Sequence, residues 1–263
     1  MLNLGAAVKT RVYVDGLNLY YGALKDTPFK WLDLVELARC VLPQQAVVDR
    51  LLYFTARVSG KANPGAPARQ HVYISALRTL PEVEVHFGSF LAKTVWRPLN
   101  NLPVAGRQIQ TPSPVTLPAG HHQVIGPPNQ TLLVGTYPAG TAGKKRKRKS
   151  PAPVTDALIA EFHTMEEKGS DVNLAAHLLN DAWNGLFDVA AVISNDTDLV
   201  TPIRMVTAEQ GKSVIVVCPG RWQAAPKLRA VASGVRHIRK PMLQAAQLPD
   251  PIPGTAISKP ATW

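Results

Sequence analysis

Two aspartates one residue apart, Asp196 and Asp198, stand directly after the apolar run Val189–Ile193. An uninterrupted run of that length suits a strand buried on both faces of a parallel sheet. From Leu199, through Pro202, Ile203 and Met205, the pattern predicts a helix. Both carboxylates therefore fall where a central strand ends and a helix begins, the edge at which open α/β sheets bind ligands. Two such charges about 4 Å apart, at an effective dielectric of about 20, repel by roughly 4 kcal/mol. A divalent cation offsets that repulsion, and so does a neighbouring Lys or Arg. A purely structural account is equally good on these residues alone: one aspartate caps the helix and the other faces water.

Two more carboxylates occupy comparable places. Asp15 ends the strand-like segment Arg11-Val-Tyr-Val-Asp15, and Gly16 then turns the chain into a helix that begins Leu17-Asn18-Leu19. Asn18 falls in that helix's first turn. Ser170-Asp171 opens a helix with Val172, Ala175, Ala176, Leu179 and Ala182 at helical spacing, closed at Gly185. Asp171 thus lies in a first turn, where the helix dipole tolerates negative charge. In a right-handed parallel sheet, strand C-termini and the N-termini of the following helices share one edge. Four carboxylates from three distant segments can meet there, whereas four independent caps would not require that arrangement. Hard oxygen ligands suit Mg²⁺ or Mn²⁺. The matching reaction is metal-assisted hydrolysis of a phosphodiester. Lys168 and Arg204 are candidate phosphate partners, although Lys168 also has Glu166 and Glu167 beside it. No His/Cys set has zinc spacing, no Ser–His pair has a nucleophile context, and no G-x-G-x-x-G follows the first strand, so no nucleotide cofactor is expected.

The elements that must position these groups alternate along the chain. Helices are predicted at 32–41, 68–80, 197–210 and 224–232, and strands at 47–56, 83–90, 158–165, 214–218 and 235–239, in addition to those above. This alternation predicts an α/β fold, a doubly wound, Rossmann-like parallel sheet flanked by helices. Between Lys93 and Val154 periodicity fades and Pro and Gly become abundant. The segment reads as a long basic insertion, with a strand pair expected near 107–110 and 131–136. From Pro241 a proline-rich tail is expected to be loosely held.

The chain has 263 residues and a net charge of +11. The run Lys144-Lys145-Arg146-Lys147-Arg148-Lys149 supplies six positive charges, and the remainder stays mildly basic. A basic body around an acidic cluster suits an enzyme that holds a polyanion, and a solvated, mobile run or a nuclear-localisation signal has the same composition. Cys40 and Cys218 lie in apolar contexts and read as reduced thiols. No run approaches a membrane span, and residues 1–10 lack the pattern of a secretory signal, so a cytoplasmic protein without a membrane partner is expected. Edge-to-edge pairing of such sheets allows a homodimer.

Three ordered motifs carry a resemblance. Val-Tyr-Val-Asp15-Gly-Leu-Asn18-Leu, Glu-Lys-Gly-Ser-Asp171-Val-Asn-Leu-Ala and Ile-Ser194-Asn-Asp196-Thr-Asp198-Leu-Val resemble the NYN domain, a branch of the PIN-like nuclease superfamily close to the LabA-like proteins. The resemblance covers roughly 9–92 and 157–239. It implies a PIN-like domain over 9–239, interrupted by the 93–154 insertion and followed by the 240–263 tail. It also implies a metal-dependent ribonuclease whose acidic cluster is Asp15, Asp171, Asp196 and Asp198. Asn18 matches a polar position of the first motif, and Ser194 and Thr197 match small polar positions of the last. Two departures stand out: Asn195 occupies a position where the family often has Gly, and the insertion is long. Every acid of the pattern is present, which argues against a degenerate copy.

The reading is an Mg²⁺- or Mn²⁺-dependent endoribonuclease. Asp15, Asp171 and Asp196 bind metal, and Asp198 completes the cluster directly or through water. Asn18, Ser194 and Thr197 orient ligands or the scissile phosphate, while Lys144–Lys149 and Lys168 hold RNA. A non-catalytic RNA-binding scaffold and a DNA-directed nuclease are the alternatives. A phosphatase with an Asp-x-Asp pair is disfavoured, because Gly16 and Leu17 follow Asp15. Deleting Lys144–Lys149 is expected to weaken RNA binding and flatten its salt dependence by up to about six counterions; an unchanged slope in a salt titration rules that arm out.

Overall fold

Alternate residues along each central strand face opposite layers, as the period of two requires. On β1 (Val8–Asp15), Val12 and Val14 enter one core while Tyr13 enters the other. β2 (Ala46–Ala56) divides in the same way, with Leu51 and Tyr53 opposed to Leu52 and Phe54. The computed structural model describes residues 7–58, 60, 63–98, 121–126, 130–135, 157–220 and 223–263. For 90–98, 121–126, 130–135 and 157–167 it describes the backbone alone. The chain divides into two compact units, Met1–Phe90 with Glu167–Trp263, and Leu91–Glu166.

The first unit is built on a parallel sheet. β1 pairs with β2 on one side, and β2 pairs in turn with β3 (Val83–Pro98). On its other side β1 pairs with a strand formed by Val189–Ile193, numbered β7 below. In the second unit, β4 (His121–Gly126), β5 (Gln130–Gly135) and β6 (Ala157–Lys168) pair antiparallel. The first unit's sheet continues through β7 into β8 (Ser213–Cys218) and β9 (Gly234–His237), again parallel. The first unit's strand order is therefore β3-β2-β1-β7-β8-β9. The order reverses between β1 and β7, and such a switch point opens a crevice beyond the strand C-termini.

Helices cover both faces. α2 (Leu34–Val41), α3 (Ala66–Leu77) and α7 (Lys240–Ala245) pack on the Val12 face. α4 (Ser170–Trp183), α5 (Val200–Arg204) and α6 (Pro226–Val231) pack on the Tyr13 face. The short α1 (Gly16–Leu19) leaves β1 directly and continues as a π-turn through Leu24.

Several sequence expectations need correction. The helix expected at 32–41 starts at Leu34, because the Asp33 carboxylate accepts from the amides of Val35 and Glu36 at 2.9 Å each. The helix expected over 197–210 is three pieces: a 3₁₀ turn (Thr197–Leu199), α5, and a π-turn (Met205–Glu209). Pro202, which has no amide proton, falls in the first turn of α5, where it breaks no bond. The third strand extends past Phe90 to Pro98, in keeping with the β-branched and aromatic content of Thr94-Val95-Trp96. The strand at 130–135 pairs with His121–Gly126 instead of 107–110, which lies outside the described residues. The tail is not loose. Leu248 and Ile252 are buried, the Trp31 indole donates to the Pro249 carbonyl at 3.0 Å, and Trp263 packs on Trp31 at 5.8 Å between ring centres. The apolar residues between its prolines anchor it to the core.

One buried polar network ties α4 to β1. The Asp181 carboxylate is 4% exposed. It pairs with Arg11 Nη1 at 2.8 Å and accepts from the Tyr13 hydroxyl at 2.8 Å. Burial, and then the hydrogen bond to Asp181, push the Tyr13 phenol above its ordinary pKa and keep it a donor. Removing Asp181 leaves the buried Tyr13 hydroxyl without its acceptor and Arg11 with only the longer Asp49 contact at 3.5 Å. Asp181→Ala is expected to lower stability by roughly 3–5 kcal/mol in chemical denaturation, and a loss under about 1 kcal/mol would show that the network contributes little.

Candidate active site

At the switch point, Asp15 ends β1 and caps α1. One of its oxygens accepts from the Asn18 amide at 2.9 Å, and the other accepts from Ser194 Oγ, just past β7, at 2.9 Å. Ser194 Oγ in turn accepts from the Asp196 amide at 3.1 Å. One hydroxyl thus links a carboxylate on one strand end to the backbone carrying the next carboxylate. Asn18 closes a second link across the same gap, its Oδ1 accepting from the Asn195 amide at 3.1 Å. Gly16 allows this closeness: a Cβ there would sit 2.7 Å from the Phe54 carbonyl oxygen and 2.7 Å from the Tyr53 ring.

Asp196 caps the 3₁₀ turn, accepting from the Asp198 amide at 2.9 Å. The Asp196 side chain is half-buried, while those of Thr197 and Asp198 are exposed. Asn195, placed where the resembled family often has Gly, uses its whole amide. Its Oδ1 accepts from the Ala225 amide at 2.8 Å and its Nδ2 donates to the Gln223 carbonyl at 3.2 Å. This holds the segment leading into α6 against the strand end. The contact spans thirty residues, so no local pattern announces it.

Asp15, Asn18, Asp171, Asn195 and Asp196 line one open cleft of about 570 Å³, with Tyr21 at its side. The topology thus brings three of the four aspartates to one cavity. Asp198 does not line it; neither do Thr197, Arg204 and the exposed Lys168. Lys144–Lys149 lies outside the described residues. As the side chains stand, no three His, Cys, Asp or Glu groups among the described residues are close enough together to hold a metal ion. The donor chemistry still suits a hard cation. Asp15 is 5% exposed, and burial raises its pKa above the usual carboxylate range. The hydrogen bonds from Asn18 and Ser194 oppose that shift, and the nearby charge of Asp196 adds to it. A buried carboxylate with a second carboxylate beside it is a local negative potential that a cation relieves.

A larger groove of about 900 Å³ adjoins the cleft and shares Tyr21 and Gly22 with it. His237, Arg239 and Lys240 line it opposite Asp26. The sequence reading passed over these cations. Their signal was the run Arg236-His-Ile-Arg239-Lys240 at the end of the edge strand. Gly220 lines the larger groove, next to Pro219 of the cleft, and has a positive φ of 78°. A Cβ there would collide with the Gly22 backbone.

Residues 145–239 match the NYN domain. Across the whole chain, 6-hydroxy-3-succinoylpyridine 3-monooxygenase HspA of Pseudomonas putida (strain DSM 28022 / S16) is 31% identical over 278 residues, spanning 97% of this chain and 75% of that protein. The chain belongs to the NYN domain family. NYN domains are PIN-like domains generally associated with nuclease activity on nucleic acids. The matched span contains Asp171, Asp196 and Asp198 and begins after Asp15 and Asn18. A solved protein of unknown function from Vibrio parahaemolyticus RIMD 2210633 superposes with a TM-score of 0.46 at 13% identity, covering 90% of this chain and 96% of that one. Among the described residues, no helix is long and apolar enough to cross a membrane.

The raised pKa of Asp15 makes stability depend on pH with a definite sign. The native state holds this proton more tightly than the unfolded chain does. The group's contribution is therefore most favourable below the unfolded pKa, and declines as pH rises through the window up to the folded one. Asp15→Asn keeps the cap acceptor and removes the buried charge. Relative to wild type, the variant is expected to gain stability in urea denaturation as pH rises above the unfolded carboxylate's pKa of about 4. A relative loss over that rise contradicts the assignment.

Proposed function

We propose that this NYN protein is a metal-dependent endoribonuclease that hydrolyses RNA phosphodiester bonds at the switch-point cleft. The observation that carries the proposal is the lining of one cleft by Asp15, Asp171 and Asp196, drawn from three distant segments. These three would hold Mg²⁺ or Mn²⁺, and Asp198 reaches the cluster through water. The bound ion supplies a water of lowered pKa and neutralises charge developing on the phosphate.

The remaining roles fall to the chain itself. Ser194 and Asn18 hold Asp15 and the Asn195–Asp196 backbone in fixed register. That preorganisation spares reorganisation during reaction. Thr197, exposed beside Asp196, orients the scissile phosphate. His237, Arg239 and Lys240 receive the strand's phosphates in the adjoining groove, and Lys168 and the Lys144–Lys149 arm extend that contact. Binding is dominated by phosphate charge and is therefore salt-dependent. The protein acts in the cytoplasm, and no nucleotide cofactor enters the reaction.

A second reading follows the chain-wide relative. Its name is that of a monooxygenase acting on 6-hydroxy-3-succinoylpyridine, and the identity over nearly the whole chain supports oxygenation of a hydroxypyridine here. That chemistry needs molecular oxygen and a two-electron reductant.

Labelled RNAs and single-stranded DNAs incubated with Mg²⁺, Mn²⁺ or EDTA separate the readings. Wild type is expected to cut RNA only with metal. Asp196→Asn is expected to lose at least about a hundredfold in rate, the scale of removing one charge-stabilising group, with its melting temperature retained. Equal cutting of DNA makes the enzyme a general nuclease. Metal-independent binding without cleavage identifies a scaffold. Hydroxypyridine-dependent consumption of reduced nicotinamide and oxygen, without cleavage, moves the assignment to the second reading.

A further inference from the structure

A third hollow, of about 270 Å³, lies on the other side of the Gly16–Leu17 turn from β1's end and shares Leu17 and Tyr21 with the acidic cleft. Its walls are aromatic: Tyr20, Tyr53, Tyr73 and Trp263 line it, with Lys30 and Arg69 as its cations. The rings brace one another. Tyr73 meets Trp263 edge-on at 5.7 Å and Tyr53 at 6.5 Å between centres.

Most polar groups of the wall are already engaged. The Tyr73 hydroxyl donates to the Leu32 carbonyl at 2.8 Å. Gln70 donates to the Ala56 carbonyl at 2.8 Å and accepts from the Val58 amide at 2.9 Å. Tyr53 is largely buried, and burial pushes its phenol up to about 12, so it stays neutral. The two cations differ from these groups. Among the described residues, neither Lys30 nor Arg69 has a carboxylate within 4.0 Å, and no Asp or Glu lines the hollow. Arg69 lies close enough to Tyr20 for its charge to act on that phenol.

A partly open hollow with mutually braced ring walls and two cations that form no ion pair within 4.0 Å among the described residues has a defined complement. The rings offer stacking and edge contacts to a flat π-system. A guanidinium without a counter-charge pairs most strongly with a planar or tetrahedral anion. The geometry points to a binding site for a planar aromatic ring that carries an anionic group, the ring against the wall that Tyr53, Tyr73 and Trp263 form and the anion on Arg69 and Lys30. Two sources share that chemistry: a nucleotide unit, with its base and phosphate, and a free aromatic carboxylic acid. The inference does not depend on the nuclease reading, because none of its groups belongs to the carboxylate set.

Full-length protein titrated with uridine 5′-monophosphate and with pyridine-3-carboxylate, read by calorimetry and tryptophan fluorescence, tests it. Uridine and pyridine-3-carboxamide serve as uncharged counterparts, and inorganic phosphate as the anion without a ring. At least one charged probe is expected to bind saturably, about tenfold or more tighter than its uncharged counterpart and than phosphate. Arg69→Gln is expected to remove that advantage while keeping the melting temperature, and Trp263→Ala to weaken charged and uncharged rings alike. Binding of the nucleotide alone assigns the site to nucleic acid, and binding of the carboxylate alone assigns it to a small acid. Saturation by neither probe, or an Arg69→Gln protein that binds as wild type does, overturns the proposal. Metal-dependent cleavage by the same preparations reports separately on the carboxylate cleft.

Discussion

The carboxylate of Asp15 sets the geometry on which the rest of the site depends. It is buried where the sheet reverses its order, and burying a charge there is costly unless donors surround it. The donors come from both sides of the switch point: the Asn18 amide from the helix that follows β1, and the Ser194 hydroxyl from the end of β7. Meeting both fixes the two strand ends relative to each other. The Asp196 amide then follows, because it donates to the same Ser194 hydroxyl. Gly16 is a consequence of that closeness: the turn passes so near Tyr53 and the Phe54 carbonyl that no side chain fits.

This dependence explains what the sequence could and could not reveal. Strands β1, β7 and β8 were legible as apolar runs, because both their faces are buried. The carboxylates were legible as edge residues, since parallel topology sends every strand end and helix start to one side. Asp171 and Asp196 share the cleft for that reason, and Asp15 joins them. Asp198 does not, because its amide is spent on the Asp196 cap and its side chain turns to solvent. The tail was misread because proline content suggests extension, whereas Leu248, Ile252 and Trp263 supply the burial that holds it. The antiparallel partner of β5 was misplaced because composition alone cannot set register. The role of Asn195 was invisible, because its partners at Gln223 and Ala225 become neighbours only after the sheet has formed.

The charge distribution also resolves an apparent conflict. A cleft lined by carboxylates repels a polyanion. Yet the adjoining groove carries His237, Arg239 and Lys240, and the chain as a whole is strongly basic. On the proposed nuclease reading, the surrounding field would attract the nucleic acid chain, and the negative potential would be confined to the cleft proposed to hold the cation. Asp15 has the signature of such a point: burial disfavours its charge, and the charge of Asp196 adds to that effect.

Tyr53 joins the two halves of this edge. Its ring abuts Gly16 and walls the aromatic hollow, while its hydroxyl feels the charge of Asp15. A residue held by packing on one side and by a buried charge on the other cannot shift without disturbing both. The turn from β1 into α1 therefore acts as a common wall, with carboxylates lining one hollow and rings and cations the other. Their separation by a single turn lets the carboxylate cleft coexist with a hollow of different chemistry. If the proposed ligand binds there, sequence change at Lys30, Arg69 or Trp263 would retune what binds beside the carboxylates without moving the strands that place them.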